Sequence, residues 1–146
     1  MIKINKISYI ETYPIRHAIL RAGKPIETCF FEGDDLPTTT HFGLFVDKKI
    51  TGVVSIFKNK NDIFIHSNQL QIRGMAVLEE AQKLGYGKLL ILECERYAIS
   101  LKTNLIWFNA REKAITFYEK QDYKKHGDSF NIANVGVHFL MKKETN

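Results

Sequence analysis

The chain is poor in the residues that stabilise small secreted or metal-bound folds. Its 146 residues include only two cysteines, Cys29 and Cys94. These are too few and too isolated for a disulfide framework or a zinc site. The five histidines have no ligand-like spacing, so we predict no metal. Cys94 falls in a helical pattern and is predicted to be a small buried side chain.

Long apolar runs are also missing. No segment approaches the roughly eighteen uninterrupted apolar residues of a membrane-spanning helix, and Asn5, Lys6 and Ser8 interrupt the N-terminal stretch. Nothing resembles a secretory signal. The sequence therefore predicts a cytoplasmic protein with no membrane partner.

A basic arm is absent although the net charge is +5. Residues 1–70 have nine basic against seven acidic side chains, and residues 71–146 have twelve against nine. Nucleic-acid-binding surfaces normally need a clustered basic stripe, so we expect no nucleic-acid partner. The even excess fits a small polyanionic ligand or plain solubility.

The apolar content of 45% is enough for one core in a chain of 146 residues. Low-complexity tracts and repeats are absent from the sequence, which argues against disorder and solenoid folds. We therefore predict a single domain over residues 1–146.

Hydrophobic patterns predict an alternation of strands and helices around one mixed sheet. Gly74 interrupts one strand, which indicates a bulge or the close approach of another group. The helix after residue 88 is predicted to bury Leu89, Leu92, Ala98, Ile99 and Leu101. The predicted strands are 2–10, 41–46, 50–57, 69–78, 105–108, 123–129 and 136–141, and the predicted helices follow Thr12 and span about 89–101 and 111–121.

A glycine-rich turn separates the predicted strand 69–78 from the next helix. Gly85 and Gly87 allow a tight turn whose amides can face one anion, and Lys83 and Lys88 add positive charge. The P-loop does not match, because Gln82 replaces a glycine and a leucine follows the Gly-Lys pair. The dinucleotide fingerprint lacks its third glycine. A glycine cap without a ligand stays open as an alternative.

Two segments resemble the GNAT family of acetyl-coenzyme A-dependent N-acyltransferases. The first is Gln82-Lys83-Leu84-Gly85-Tyr86-Gly87, which is similar to the family's pyrophosphate-binding signature. The second segment runs from Asn109 to Tyr123. Its Asn109, Ala114, Phe117, Tyr118 and Tyr123 occur at the spacing of another sequence pattern that is typical of the family. Asp122 stands where that pattern usually has glycine, which requires a turn from a residue less tolerant of positive φ.

The resemblance covers most of the chain and is best over about residues 71–123. It implies an α/β (α+β) fold of the GNAT type. In that fold a mixed, mostly antiparallel central sheet is flanked by helices and has a splayed central strand pair.

The resemblance also implies acetyl-coenzyme A as cosubstrate, without a metal. The pantetheine arm would pair with the backbone of Met75, Ala76 and Val77, and Asn109 would bond the arm or cap the next helix. An N–H near Met75 or Ala76 would polarise the acetyl carbonyl. The pyrophosphate would lie on the amides of Gln82, Lys83, Leu84, Gly85, Tyr86, Gly87 and Lys88.

The implied reaction moves the acetyl group to a primary amine of a small molecule or protein by direct attack. Similar enzymes place a tyrosine on the helix predicted here at about 111–121 as general acid, which in this chain is Tyr118; a core tyrosine is the alternative. His138 is favoured as base because imidazole titrates near neutrality. The other candidate bases are Glu27, Glu32, Asp34, His41 and a water chain.

The sequence does not identify the acceptor or the oligomeric state. The segment 24–40 is locally acidic, which suggests a cationic amine or simply a solvated loop. A monomer or a homodimer fits equally, and the roles of Arg73 and Arg111 are unassigned. An acyl-coenzyme A-binding sensor or structural subunit without turnover is the alternative function.

Overall fold

The computed structural model describes residues 1–145 and contains seven strands and three helices. Short 3-10 turns precede the helices or lie between elements, and no described helix is long and apolar enough to cross a membrane. The strands are β1 Ile2–Ile7, β2 Thr40–Val46, β3 Lys49–Phe57, β4 Gln69–Val77, β5 Leu105–Arg111, β6 Lys124–Ile132 and β7 Gly136–Glu144. The helices are α1 Tyr13–Leu20, α2 Tyr86–Ser100 and α3 Ile115–Glu119.

The strands form one sheet in the order β1-β2-β3-β4-β5-β7-β6. Pairing is antiparallel between β1 and β2, β2 and β3, β5 and β7, and β6 and β7. Strands β4 and β5 pair in parallel, and their ladder joins only Gln69–Gln71 to Leu105–Trp107. The predicted mixed, mostly antiparallel sheet is confirmed, and so short a central ladder agrees with a splayed strand pair.

The contacts between residues group the chain into two compact units. The first unit contains residues 1–58 and 72–97, and the second contains residues 59–71 and the chain from residue 98 onward. Each unit is described below by itself. The single domain over residues 1–146 stays a prediction.

The first unit has a core between α1 and the strands. Ile15, Val53 and Ala76 are buried together, because the apolar stripe of α1 faces the inward side chains of β3 and β4. The helix begins where it was predicted, with Thr12 at the N-cap and Pro14 in its first turn. The Thr12 hydroxyl bonds the Tyr9 carbonyl and not a helix amide.

The buried side of α2 differs from the prediction. Leu90, Ile91 and Cys94 are fully buried, whereas Leu89 and Leu92 are exposed by 37% and 41%. Ile99 and Leu101 are also exposed, while Ala98 is buried. The prediction was wrong because this helix has apolar residues on several sides. The residues that are buried, at 90, 91, 94 and 98, follow helical spacing as well as the residues that were predicted to be buried.

The second unit is built on β5, whose first four residues are buried. Trp107 packs with Phe64, Leu105 and Leu140, and its indole N–H donates to the Asn59 carbonyl at 3.0 Å. The prediction of a continuous apolar strand at 105–108 is confirmed, with β5 continuing to Arg111.

Helix α3 is shorter than the predicted helix 111–121. Arg111 still belongs to β5 and lies opposite His138 of β7, and a 3-10 turn precedes the helix. The pairing with β7 therefore delays the start of the helix. Asp122 has a φ of 70°, so an aspartate adopts the left-handed conformation that the usual glycine would take.

Candidate active site

The glycine-rich turn joins β4 to α2 within the first unit. Lys83 and Gly85 both have positive φ, at 67° and 87°, and these values turn the backbone sharply before the helix begins at Tyr86. The Gln82 side-chain amide donates to the Val77 carbonyl at 2.9 Å, which ties the turn to the end of β4. Residues 82–85 of the predicted glycine-rich turn therefore form the turn in the structure.

The first turn of α2 presents backbone donors beside positive charge. The Leu89 N–H bonds the Gly85 carbonyl at 3.2 Å, so helical bonding begins there and the amides of Tyr86, Gly87 and Lys88 have no acceptor inside the helix. Lys83 and Lys88 are exposed. Free amides, the positive helix end and two ammonium groups together suit a pyrophosphate, so the donor set fits coenzyme A.

Strand β4 is distorted at Gly74, two residues before Ala76. Gly74 has a φ of 68°, and a Cβ built there would lie 2.9 Å from Cε2 of Phe31 and 3.3 Å from Nε of Arg16. The close approach predicted at this glycine is confirmed. The segment after α1 is therefore packed against β4 immediately before Met75 and Ala76.

A buried arginine links that segment to the sheet. Arg16 on α1 donates to both carboxylate oxygens of Asp34, at 2.5 and 3.0 Å. It also donates to the Cys29 carbonyl at 2.8 Å and to the Ser55 hydroxyl at 2.9 Å. Both charged side chains are 0% exposed. Sequence reasoning missed Arg16, because nothing local marks a partner eighteen residues away.

His41 completes the same network. Its Nε2–H donates to the Asp34 carbonyl at 2.9 Å, and Nδ1 lies 2.5 Å from the Ser55 hydroxyl. Because a carbonyl only accepts, the neutral ring carries its proton on Nε2. Asp34 and His41 are 2% and 4% exposed. Their polar atoms are bonded within this network, which argues against a role for either residue as the general base.

His41 should make the stability of the protein depend on pH. Burial lowers the pKa of His41 below 6.5, its ordinary value, and Arg16 acts in the same direction, while Asp34 opposes both. The unfolded chain therefore binds more protons than the native state as pH falls below about 6.5. We expect the free energy of unfolding to fall with decreasing pH in this window.

Urea unfolding between pH 7.5 and 5.5 measures this effect. Replacing His41 with asparagine should flatten the pH profile relative to the parent, because only the parent loses stability through this ring. An equal slope in both proteins would show that other groups cause the dependence.

Tyr118 lies on α3 in the second unit. Its ring centroid is 4.4 Å from that of Phe108 and 5.1 Å from that of Phe117. Tyr123, after the helix, lies 6.3 Å away and is 1% exposed, whereas Tyr118 is only half-buried. The aromatic cluster therefore fixes the Tyr118 ring while part of the side chain stays accessible.

Asn109 lines an open cavity of about 490 Å³ in the second unit. The side chain is exposed, and β6 is irregular between His126 and Phe130 where it borders the same cavity. No pattern in the sequence indicated this cavity, because an irregular strand has no fixed alternation of side chains. Its lining residues are Asn61, Ile63, Asn109, His126, Gly127, Asp128, Phe130 and Leu140.

His138 on β7 is only 5% exposed. Its Nδ1–H donates to the Gly136 carbonyl at 2.8 Å, and its ring lies 6.0 Å from that of Phe130. In the neutral ring this bond leaves the lone pair on Nε2. The remaining candidate bases, Glu27 and Glu32, are exposed.

The chain belongs to the acetyltransferase (GNAT) family, since the model of that family matches residues 3–123. One relative is an uncharacterized N-acetyltransferase of Bacillus subtilis (strain 168), YitI. It is 31% identical over 143 residues, which cover 98% of this chain and 96% of the relative.

Solved structures share the fold at lower identity. An aminoglycoside 6'-N-acetyltransferase complexed with coenzyme A has a TM-score of 0.79 at 14% identity, covering 99% of this chain and 97% of that one. The ribosomal-protein-S18-alanine N-acetyltransferase from Escherichia coli has a TM-score of 0.79 at 15% identity, covering 99% and 94%.

Family membership makes the chain an acyltransferase that uses acetyl-coenzyme A. Among residues 1–145 there is no group of three or more histidine, cysteine, aspartate or glutamate side chains suited to a metal ion. The recognition of the family from the Gln82 to Gly87 and Asn109 to Tyr123 segments is confirmed.

Proposed function

We propose that the protein transfers the acetyl group of acetyl-coenzyme A to a primary amine of a small molecule or protein. The amine attacks directly, and Tyr118 is the general acid. The observation that carries this proposal is the turn from Gln82 to Lys88, which leads from β4 into the free amides of α2 in a chain of this family.

The turn and β4 bind different parts of the coenzyme. The amides of Tyr86, Gly87 and Lys88, with the residues from Gln82 to Gly85, hold the pyrophosphate. The backbone of Met75, Ala76 and Val77 pairs with the pantetheine arm, and an N–H at Met75 or Ala76 polarises the acetyl carbonyl. Asn109 bonds the arm as well. The bound coenzyme supplies a thioester as the acetyl donor.

Direct attack is supported by the state of both cysteines. Cys29 and Cys94 are each 0% exposed. Burial raises the pKa of both thiols, and the pKa of Cys94 lies far above the ordinary value of a thiol. The thiolate is the reactive form of cysteine, so neither side chain is suited to carry an acetyl group between donor and acceptor.

Proton transfer needs one donor and one acceptor. Tyr118 gives its proton to the departing thiolate, and its packing on Phe108 and Phe117 holds the ring in place. The amine must lose a proton before or during attack. His138 with its Nε2 lone pair, Glu27, Glu32 and a water chain remain the candidate bases.

Initial-velocity kinetics test the function. With acetyl-coenzyme A and a panel of primary amines varied together, we expect coenzyme A release and intersecting double-reciprocal lines, because both substrates must be bound before direct transfer. Parallel lines would indicate an acetylated enzyme and contradict direct attack. Binding of acetyl-coenzyme A without turnover of any amine would instead support the sensor alternative.

A further inference from the structure

We infer that the acceptor carries a carboxylate, which Arg73 and Arg21 bind beside the ring of Phe31. This inference rests on the proposed acetyl transfer, because it names the substrate class of that site. It assigns a role to Arg73, and it contradicts the cationic acceptor suggested by the acidic sequence of residues 24–40.

Three guanidinium groups surround the buried ring of Phe31. The guanidinium carbon of Arg16 lies 4.0 Å from the ring centroid, that of Arg21 lies 5.0 Å away and that of Arg73 lies 5.1 Å away. Arg73 is also 5.2 Å from the centroid of Phe57. Such rings stabilise cations over their faces, so Phe31 holds three positive charges close together.

Only one of these charges is neutralised by a carboxylate. Arg16 is paired with Asp34 at 2.5 Å. Over residues 1–145, neither Arg21 nor Arg73 has a carboxylate oxygen within the 4.0 Å that defines an ion pair. Two positive charges at this ring therefore have no direct counter-charge among the described residues.

The contacts of Arg21 and Arg73 leave donors for a ligand. Arg21 donates to the carbonyls of Thr28 and Leu20, at 3.2 and 3.0 Å. Arg73 makes one long bond, 3.5 Å, to the Glu32 carbonyl. A guanidinium has five N–H donors in a planar fork that matches a carboxylate. Both side chains are half-buried, so an anion can approach them.

The position of Arg73 connects this charge to the acetyl site. Arg73 immediately precedes Gly74, which is in contact with Phe31, and Met75 follows at the proposed carbonyl-polarising position. Two residues of an extended strand span at most about 7 Å of backbone, so Arg73 and the proposed carbonyl-polarising N–H belong to the same short stretch of β4. An acceptor whose carboxylate binds Arg73 is therefore held beside that stretch.

The same cations suit the chemistry of the acceptor. Nearby positive charges disfavour an ammonium and lower the pKa of an amine, and the neutral amine is the form that attacks. The carboxylate of Asp34, one of the acidic groups that suggested a cationic acceptor, is buried and paired with Arg16. A cationic amine would meet repulsion at Arg21 and Arg73.

Matched pairs of amines test the inference. L-amino acids and the corresponding L-amino acid amides share the amine and the side chain but differ in the carboxylate. We expect at least one acid to be acetylated with a KM about ten-fold or more below that of its amide, since hydrogen bonds to charged groups are the stronger ones. Equal or better use of the amides throughout the panel would overturn the inference.

Substitutions of Arg73 test whether this residue causes the preference for the acid over the amide. Arg73→Gln should raise the KM of the preferred acid about ten-fold or more, leave kcat nearly unchanged and remove the preference over the amide, while Arg73→Lys should retain part of it. The matched control is Arg96→Gln, which removes a guanidinium paired with Glu93 at 2.7 Å on α2 and should change nothing. Equal losses on acid and amide in Arg73→Gln would indicate a structural role and contradict the inference.

Direct binding separates this inference from the proposed function. If no amine is acetylated, the proposed transfer fails, and titration calorimetry of the same acids and amides in the presence of coenzyme A still tests the anion site. Tighter binding of an acid than of its amide, lost in Arg73→Gln, would support the site. Equal binding of both, or no binding of any acid, would refute it.

Discussion

Replacing Asp34 with asparagine should lower the free energy of unfolding by about 3–5 kcal/mol, the cost of breaking a buried ion pair from one side. Asp34 accepts two bonds from Arg16, and both side chains are 0% exposed. Asparagine keeps the size of the side chain but removes its charge. The guanidinium of Arg16 would then stay buried without a counter-charge.

The same carboxylate also bonds the backbone of the segment. The Phe31 N–H donates to Oδ2 of Asp34 at 2.8 Å, while the backbone carbonyl of Asp34 accepts a separate bond from His41. The loss should therefore appear in the packing of residues 24–40 against β4 and in global stability. Urea unfolding followed by circular dichroism measures the latter.

The neighbouring aspartate offers a matched control. Asp35 is exposed, so Asp35→Asn makes the same chemical change outside the network and should shift stability by less than about 0.5 kcal/mol. A second variant removes both buried charges, Arg16→Met with Asp34→Asn. It should be more stable than Asp34→Asn alone, because no uncompensated charge remains.

The result would contradict the structure in one clear case. If Asp34→Asn and Asp35→Asn unfolded at the same urea concentration with the same slope, Arg16 would have to be solvated in solution. If the double variant were less stable than Asp34→Asn, the guanidinium would stabilise the protein mainly through its bonds to Cys29 and Ser55.

Features carried by neighbouring residues were predictable from the sequence. The turn at Gln82 to Gly87 depends on two glycines and on the helix that follows, and both signals lie within a few residues. Gly74 is marked in the same way, since a glycine inside an apolar strand already indicates close contact. The succession of strands and helices along the chain followed from the hydrophobic patterns, and the mixed sheet followed from the family resemblance.

Features that depend on contacts between residues far apart in the sequence were not predictable. Arg16 and Asp34 are each ordinary surface residue types, and only the fold shows that they neutralise each other in the core. As a result, the acidic count over residues 24–40 did not reveal the three guanidinium groups that lie over Phe31. The cavity beside Asn109 likewise depends on the irregular backbone of β6.

The buried side of α2 shows a third reason for failure. The helix is apolar on more than one side, so two stripes satisfy the helical period and the sequence cannot choose between them. Leu89 and Leu92 are exposed, while Leu90 and Ile91 are buried, because the turn from Lys83 to Gly85 sets where the helix begins. Tertiary structure decides the orientation of such a helix.

Replacing Tyr118 with phenylalanine should lower kcat by about 10²-fold or more, the usual effect of removing a general acid. Phenylalanine keeps the ring that packs on Phe108 and Phe117, so the substitution removes the hydroxyl while largely preserving the aromatic cluster. The KM for acetyl-coenzyme A should change little, because the proposed contacts with the pyrophosphate and the pantetheine arm come from other residues.

Tyr123→Phe is the matched control for this variant. Tyr123 belongs to the same aromatic cluster and is 1% exposed, and it has no proposed part in the reaction. Its kcat should stay within about two-fold of the parent. Equal losses in the two variants would mean that the aromatic cluster, and not the Tyr118 proton, sets the rate.

The acidity of the leaving thiol gives the sharpest test of the Tyr118 proton. A thiol with a lower pKa leaves as the thiolate and needs less help from a general acid. An acetyl thioester of a more acidic aromatic thiol should therefore be used by Tyr118→Phe with a smaller deficit relative to the parent than acetyl-coenzyme A shows. If the deficit were the same for both donors, Tyr118 would act by positioning the substrates, and its assignment as the general acid would fail.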